Sequence, residues 1–115
     1  MAMESSPHDH DALMLVLTTE SDQAKADDLA QALIEQGLAA CVSCAAVRSL
    51  YRWKGQLECA QEVQLLIKTT RKGWPALEQA LRVLHSYDTP EILHWEVQAS
   101  ESYGAWVLSS VAQAP

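Results

Sequence analysis

This 115-residue chain contains three cysteines, a residue type that can do metal or redox chemistry. Cys41 and Cys44 have the two-residue separation of many zinc and redox sites. They fall in a strand-like run, however, where residues three apart point to opposite faces, so their sulfurs would not converge on one ion. Cys59 is predicted opposite Leu50 in a hairpin, about 20 Å from Cys44 at roughly 3.3 Å per residue. We therefore interpret Cys41 and Cys44 as buried structural thiols. Three cysteines leave at least one thiol unpaired, which suits a reducing compartment.

His85 is a second candidate, because carboxylates follow it at Asp88 and Glu91. A neutral imidazole and carboxylate oxygens together can bind copper or zinc. The alternative is a structural role, in which the imidazole donates to the last carbonyls of the preceding helix. The sequence leaves both interpretations open. His8 and His10 would bind a metal only adventitiously, because ordering a flexible segment is costly.

A third group combines aromatic and charged side chains: Tyr51, Trp53, Lys68, Tyr87 and Glu91. If the predicted hairpin reaches a neighbouring subunit, its aromatics would pack beside that subunit's polar connector and leave a cleft with Lys68. Such a cleft would suit a small anionic or amphipathic ligand. The alternative is packing alone, since Trp and Tyr commonly anchor buried interfaces.

Signatures of an enzyme are missing from the sequence. The four glycines are scattered, so there is no phosphate-binding loop, and there is no Gly-x-Ser-x-Gly motif. A nucleophile built from Cys41 and His85 lacks an identifiable third residue to orient it. We therefore expect no catalytic reaction and no obligatory cofactor.

Charge and hydropathy argue against two classes of partner. The formal net charge is −7 and the eight basic residues are dispersed, whereas nucleic-acid binding depends on clustered Lys and Arg. No stretch approaches the roughly 20 apolar residues that span a bilayer. The start of the chain lacks the apolar run of a secretory signal. These observations predict a cytoplasmic protein with a flexible leader over residues 1–11 and one domain over residues 12–112.

The elements that position these residues can be predicted from periodicity and turn signals. Residues 13–17 form an unbroken apolar run, typical of a strand buried on both faces. Apolar residues at helical spacing over 26–34 predict a helix that Ser21 or Asp22 caps and Gly37 ends. Two hairpin arms follow, over residues 40–53 and 57–70, around a turn at Lys54-Gly55. Gly73, Trp74 and Pro75 then open a second helix, and residues 92–97 form the last strand. Ser100 or Ser102 caps a short C-terminal helix.

This order predicts an α+β fold, a ferredoxin-like βαββαβ sandwich with an extended hairpin between its second and third strands. Each hairpin arm would be about 45 Å long at roughly 3.3 Å per residue, whereas a compact chain of this length is roughly 35 Å across. The hairpin therefore outgrows its domain, and its tip carries apolar residues such as Leu50 and Leu57. Two helices also cover only one sheet face. We expect sister subunits to cover both surfaces, most economically in a homotrimer.

Four sequence strings resemble the CutA family of divalent-cation-tolerance proteins: LAACV at 38–42, SLYRWKG at 49–55, IKTT at 67–70 and HSYDTPEI at 85–92. They occur in the order that the family shows. The resemblance implies a very stable homotrimer of ferredoxin-like subunits. It also implies a link to tolerance of copper and other divalent metals, with no established catalytic reaction.

The residue chemistry and the resemblance together predict two sets of site residues. The metal ligands would be His85, Cys41 and Glu91, and the contacts of a small ligand between subunits would be Tyr51, Trp53, Lys68 and Tyr87. In the family, a cysteine often ends the first strand and is implicated in copper binding. Here the matching position is Thr18, and Leu84 stands where some relatives carry another histidine. Both departures weaken a copper assignment.

Two other functions share this subunit topology. A signalling trimer that resembles the PII regulators would bind nucleotides between subunits, but the sequence has no recognisable phosphate loop. An enzyme that resembles the acylphosphatases would need an Arg- and Gly-rich anion loop after the first strand. Glu20 and Asp22 stand there instead.

Overall fold

The computed structural model describes residues 12–111, which form a four-stranded antiparallel sheet and three helices. The elements in chain order are β1 (Leu13–Glu20), α1 (Gln23–Glu35), β2 (Cys41–Trp53), β3 (Gln56–Thr70), α2 (Trp74–Leu84), β4 (Leu93–Val97) and α3 (Glu101–Ser110). The strand order β2-β3-β1-β4 is that of a ferredoxin-like sandwich, so the predicted α+β fold is confirmed. The predicted leader and the domain end at residue 112 lie outside the described residues.

Local signals mark the ends of α1 and the start of α2 where the sequence predicts, whereas Ser100 precedes α3 without a side-chain capping hydrogen bond. Asp22 caps α1, because its side chain accepts a hydrogen bond from the Lys25 backbone N–H at 2.8 Å. Just beyond α1, Gly37 has φ +71°, the left-handed conformation that ends a helix. Pro75 lies in the first turn of α2, where a missing N–H costs no hydrogen bond. None of the helices within residues 12–111 combines the length and the apolarity needed to cross a bilayer.

The core lies between the sheet and helices α1 and α2. Alternate side chains of β1 and β3 point toward these helices, as expected for strands that bury one face against a helical layer. The fully buried apolar side chains of this layer are Val16, Leu33, Leu65, Ile67, Leu77 and Leu81. Their packing fixes the end of β1 beside the end of α2, which is where the site residues lie.

The opposite sheet face is covered only in part. Helix α3 packs Val107 and Val111 against Leu13 at one end of β1. The rest of this surface, which we call the open face, consists of Leu15, Leu17, Leu66, Leu93 and Trp95. Leu93 and Trp95 are 51% and 41% exposed. The prediction that β1 is buried on both faces therefore holds at Leu13, whereas Leu15 and Leu17 are only half-buried in the single chain.

The hairpin of β2 and β3 extends beyond the rest of the sheet. Strand β1 pairs with β3 only from Val63 onward, so residues 47–62 form a two-stranded ribbon. Its turn has Lys54 at φ +52° and Gly55 at φ +77°, which is the primed geometry that suits a two-residue hairpin loop. The principal extents are 58 × 29 × 23 Å. The prediction that the hairpin outgrows its domain is thus confirmed.

Candidate functional site

The loop formed by residues 85–92 begins where α2 ends, beside the end of β1. His85 caps the C-terminus of α2, and its backbone N–H donates to Leu81 O at 3.0 Å. Its ring Nε2 lies 2.7 Å from Thr19 O, which can only accept, so Nε2 carries a proton and donates. Nδ1 accepts from the Tyr87 backbone N–H at 3.0 Å. Both nitrogens of this buried ring are used within the subunit.

This geometry bears on both interpretations of His85 from the sequence. The structural alternative placed its donated hydrogen bond on the last carbonyls of α2. That detail is wrong, because the ring donates to β1. The metal interpretation stays a prediction, and a metal at Nδ1 would have to displace the Tyr87 N–H.

Glu20 was not foreseen from the sequence, although it is only 1% exposed at the end of β1. Its carboxylate accepts from the Ser86 backbone N–H at 3.1 Å, from the Ser86 hydroxyl, and from the Ser21 backbone N–H at 3.3 Å. A buried carboxylate is costly unless it is hydrogen-bonded, and these bonds hold the start of the loop against β1. We call this hydrogen-bonded group the anchor cluster: Thr19, Glu20, His85 and Ser86.

Beside the anchor cluster lies an open cavity of about 760 Å³, bounded by the ribbon and by the loop. We call it the hairpin cavity. Its aromatic and acidic walls are Tyr51, Trp53, Glu62, Tyr87, Asp88 and Glu91. The ribbon residues face the same way because the register pairs Tyr51 with Glu58 and Val47 with Glu62, and directly paired residues share a sheet face.

Tyr87 connects the anchor cluster to the hairpin cavity. Its hydroxyl donates to Glu62 Oε2 at 2.7 Å, and its ring centroid lies 4.9 Å from that of His85. Burial raises the pKa of the Tyr87 hydroxyl, and the hydrogen bond to Glu62 and the negative charges of Glu62 and Glu20 raise it further. The hydroxyl therefore keeps its proton and holds the Glu62 carboxylate in place.

The structure brings most of the predicted ligand contacts together. Three of the four line the hairpin cavity, Tyr51, Trp53 and Tyr87, and so does Glu91, which was predicted as a metal ligand. Lys68 does not join them, because its Nζ lies 2.6 Å from Ser43 Oγ and 3.8 Å from Cys41 Sγ at the other end of the hairpin. Within one subunit, Glu62 and Asp88 complete the cavity instead. The cavity within one chain is therefore acidic. The predicted cleft between subunits, which would include Lys68, stays a prediction.

The predicted metal ligands do not meet within one subunit. Cys41 begins β2 opposite Lys68, on the sheet face that looks away from the helices. His85 lies on the helix side, where its Nε2 is 3.1 Å from Thr18 Oγ1, and Glu91 lines the hairpin cavity. Across residues 12–111, no group of three or more His, Cys, Asp or Glu side chains is placed to hold a metal.

The cysteines follow the predicted register but not the predicted burial. Cys41 and Cys44 lie on opposite faces of β2, and Cys59 pairs with Leu50, as expected. All three are free thiols. The expectation of burial is wrong for Cys44, which is exposed in the single chain because the hairpin has little packed against it; Cys59 is exposed as well.

Fold and site together define a ferredoxin-like subunit with a long hairpin and an acidic, aromatic cavity beside it. A sequence profile of the CutA1 divalent ion tolerance protein family matches residues 14–110. The chain therefore belongs to the CutA1 family, as its sequence strings indicated.

Individual relatives agree with this assignment. The divalent-cation tolerance protein CutA of Pectobacterium atrosepticum is 43% identical over 100 residues, which are 85% of this chain and 91% of that protein. The structure of CutA from Synechococcus elongatus matches with a TM-score of 0.85 at 43% identity, over 89% of this chain and 92% of that one. The periplasmic divalent cation tolerance protein CutA from Archaeoglobus fulgidus matches with a TM-score of 0.83 at 26% identity, over 87% and 99% of the two chains. These matches give no support to the PII-like alternative.

Proposed function

We propose that the chain acts in divalent-cation tolerance as a cytoplasmic homotrimer without catalytic activity. The observation that supports assembly is the apolar surface that a single subunit leaves uncovered. That surface has two parts, the ribbon of residues 47–62 and the open face.

The ribbon is the more exposed of the two. Leu57 is 76% exposed, Leu50 58% and Trp53 56%. A two-stranded ribbon is only marginally stable by itself in water. Burying side chains of this size stabilises an assembly by about 1.5–3 kcal/mol each, so contact with another chain would stabilise the ribbon substantially.

The open face supplies the complementary surface. Leu93 and Trp95 stand exposed on β4, and β2 is an edge strand of 13 residues whose outer backbone groups can pair with another chain. A contact between unlike surfaces of identical chains closes into a ring under cyclic symmetry. Three subunits form the smallest ring in which each subunit makes its two contacts, through its ribbon and through its open face, with two different neighbours.

Light scattering at micromolar concentration tests this assembly. The wild-type particle is expected at three times the 12.7 kDa chain mass. Leu57→Glu places a charge in the proposed contact and is expected to shift the mass toward one chain. Val83→Glu is the matched control, because Val83 is 75% exposed on α2, away from the ribbon. A wild-type particle with the mass of a single chain would contradict the proposal.

We further propose that the trimer binds a divalent metal, copper first, through His85, Cys41 and Glu91. The chemistry of these donors supports it, since imidazole and thiolate are suitable copper ligands. Because one subunit keeps the three apart, the site would combine residues of adjacent subunits. Metal binding would then depend on assembly.

Titration with Cu(II) tests the metal proposal. Cys41→Ser and Glu91→Gln are each expected to weaken binding about tenfold or more. Cys59→Ser, which removes an exposed thiol elsewhere on the hairpin, is the matched control. Isotherms identical to the wild type in both ligand variants would reject these residues as ligands. His85→Ala adds information only where its melting curve shows that the anchor cluster has survived.

The cytoplasmic location rests on the sequence and on the three free cysteines, which suit a reducing compartment. The Archaeoglobus relative is described as periplasmic, so location needs its own test. Fractionation of the native host is expected to place the protein with cytoplasmic markers. Recovery with periplasmic markers would contradict this part of the proposal.

A further inference from the structure

We propose that the hairpin cavity binds a small organic cation, a protonated amine attached to an aromatic or apolar body. This goes beyond cation tolerance, because the bound species is organic and the cavity is formed within one subunit. Charge, wall chemistry, size and preorganisation of the cavity each support the inference.

The charge of the cavity favours a cation. Glu62, Asp88 and Glu91 line it, and none of its lining residues in the described chain is Lys or Arg. Within residues 12–111, neither Asp88 nor Glu91 has a hydrogen-bond or ion-pair partner. The formal net charge of −7 adds to the negative potential around these groups. Carboxylates without partners attract an ammonium group and repel an anion.

The aromatic walls favour an ammonium group with an apolar body. Tyr51, Trp53 and Tyr87 line the same cavity. An ammonium within about 6 Å of an aromatic centroid is attracted by the ring, most strongly by Trp. The chain already shows such a contact, because Lys54 Nζ lies 5.9 Å from the Trp53 ring centroid. A ligand amine entering from the cavity would meet rings and carboxylates together.

The size of the cavity separates an organic cation from a bare metal ion. Its volume of about 760 Å³ falls in the range of roughly 300–1,000 Å³ that holds small organic molecules. The acidic side chains are not gathered as a metal requires, since no suitable group of three exists within residues 12–111. Ser21 also lines the cavity, and its buried Oγ has no hydrogen-bond partner among the described residues.

Part of the cavity is held ready for a ligand. The Tyr87 hydroxyl fixes Glu62 through a 2.7 Å hydrogen bond, and the Tyr87 ring packs on the buried His85. The anchor cluster holds the start of the loop that carries Asp88 and Glu91. Groups fixed in advance lose less conformational freedom on binding, which favours affinity.

Calorimetry on the full chain with three matched probes tests the inference. Phenethylamine is a cation at neutral pH, 2-phenylethanol is its neutral counterpart, and phenylacetate is a related anion. Phenethylamine is expected to bind at least about tenfold more tightly than the other two, a difference of about 1.4 kcal/mol. Equal affinities for the three probes, or no binding of phenethylamine at millimolar concentration, would overturn the proposal.

Variants locate the binding within the cavity. Asp88→Asn and Glu91→Gln keep the shape of each side chain but remove its charge, and each is expected to weaken phenethylamine binding about fivefold or more. Glu101→Gln, an equivalent loss of charge on exposed α3, is expected to leave affinity unchanged. The Trp53 indole N–H resonance, assigned by its loss in Trp53→Phe, should move during the titration. An unchanged resonance, or equal effects of all three charge variants, would place the binding elsewhere.

The same samples separate this inference from the proposed function. Light scattering reports assembly, and the Cu(II) titration reports metal binding, independently of phenethylamine. A trimer that binds copper but none of the organic probes would refute the cation site alone. That result is expected if side chains of a neighbouring subunit fill the cavity.

Discussion

The anchor cluster and the hairpin cavity lie side by side, share Tyr87 as a neighbour, and are both built around carboxylates. In the anchor cluster, Glu20 is buried and accepts several hydrogen bonds, and both ring nitrogens of His85 are used. In the cavity, Asp88 and Glu91 are exposed and make no such bonds within the described chain. A carboxylate therefore stabilises the fold where the chain supplies its hydrogen-bond donors, and it can bind a ligand where the chain supplies none.

A structural polar group and a binding one differ in whether the chain itself satisfies their hydrogen bonds. A buried polar group whose hydrogen bonds are complete has no donor or acceptor left for a ligand. Removing it destabilises the fold, because its partners lose their hydrogen bonds. An accessible group without partners contributes little to stability and keeps its capacity. The residue most suggestive of metal chemistry in the sequence, His85, belongs to the first kind.

Glu20→Ala is expected to break the anchor cluster and to give the largest effect. It leaves the part-buried N–H donors of Ser21 and Ser86 without their acceptor, so the free energy of unfolding should fall by about 3 kcal/mol. Urea unfolding at fixed protein concentration measures it. Asp88→Asn is the matched control from the cavity and should stay within about 0.5 kcal/mol of wild type. Comparable losses in the two variants would abolish the distinction between the regions.

Trp53→Ala tests whether the cavity side of the ribbon also serves assembly. As an interface anchor, Trp53 should contribute about 2 kcal/mol, and its loss should raise the trimer dissociation constant roughly 30-fold. Sedimentation velocity over a dilution series, with urea where needed, measures the change. Val83→Ala, at the exposed position on α2 away from the ribbon, is the control. An unchanged sedimentation profile and melting temperature would remove Trp53 from the interface.

Tyr87 contacts both regions. Tyr87→Phe removes its hydrogen bond to Glu62 and is expected to lower the free energy of unfolding by about 1 kcal/mol. The pKa of this hydroxyl in the folded chain lies above its ordinary value of 10.0, so above that pH the unfolded chain loses a proton that the folded chain keeps. Stability contributed by the raised pKa is therefore complete below pH 10 and falls as pH rises further. Thermal melts between neutral and alkaline pH should show a steeper alkaline decline for wild type than for Tyr87→Phe. Parallel curves would show that folding does not raise the pKa of the Tyr87 hydroxyl.

Most of the fold could be predicted from the sequence because its signals are local. Gly37 and Pro75 mark helix ends through their own backbone preferences, and Lys54-Gly55 sets the hairpin register by itself. That register also placed Cys59 opposite Leu50. The same counting puts Lys68 opposite Cys41, at the base of the hairpin and far from Trp53 at its tip. The sequence therefore already contained the reason that Lys68 does not line the cavity of its own subunit.

The anchor cluster could not be predicted in the same way. Its members come from the end of β1 and the end of α2, which the fold brings together although they are far apart in the chain. The one local sign was Glu20, a carboxylate at the end of β1, two threonines after its apolar run. Such a residue is usually solvated, and only the tertiary packing of α2 beside it shows that it is buried.

The two-residue turn at Lys54-Gly55 also limits how the hairpin can vary during evolution. Side chains of a strand alternate between faces, so inserting a single residue into the β2 arm would turn Tyr51 and Trp53 away from Glu62. Adding two residues to each arm would preserve the hairpin cavity and move the tip of the hairpin outward. Homologous ribbons that keep this binding chemistry should therefore differ in length by even numbers of residues per arm, whereas odd changes should coincide with loss of the aromatic and acidic walls.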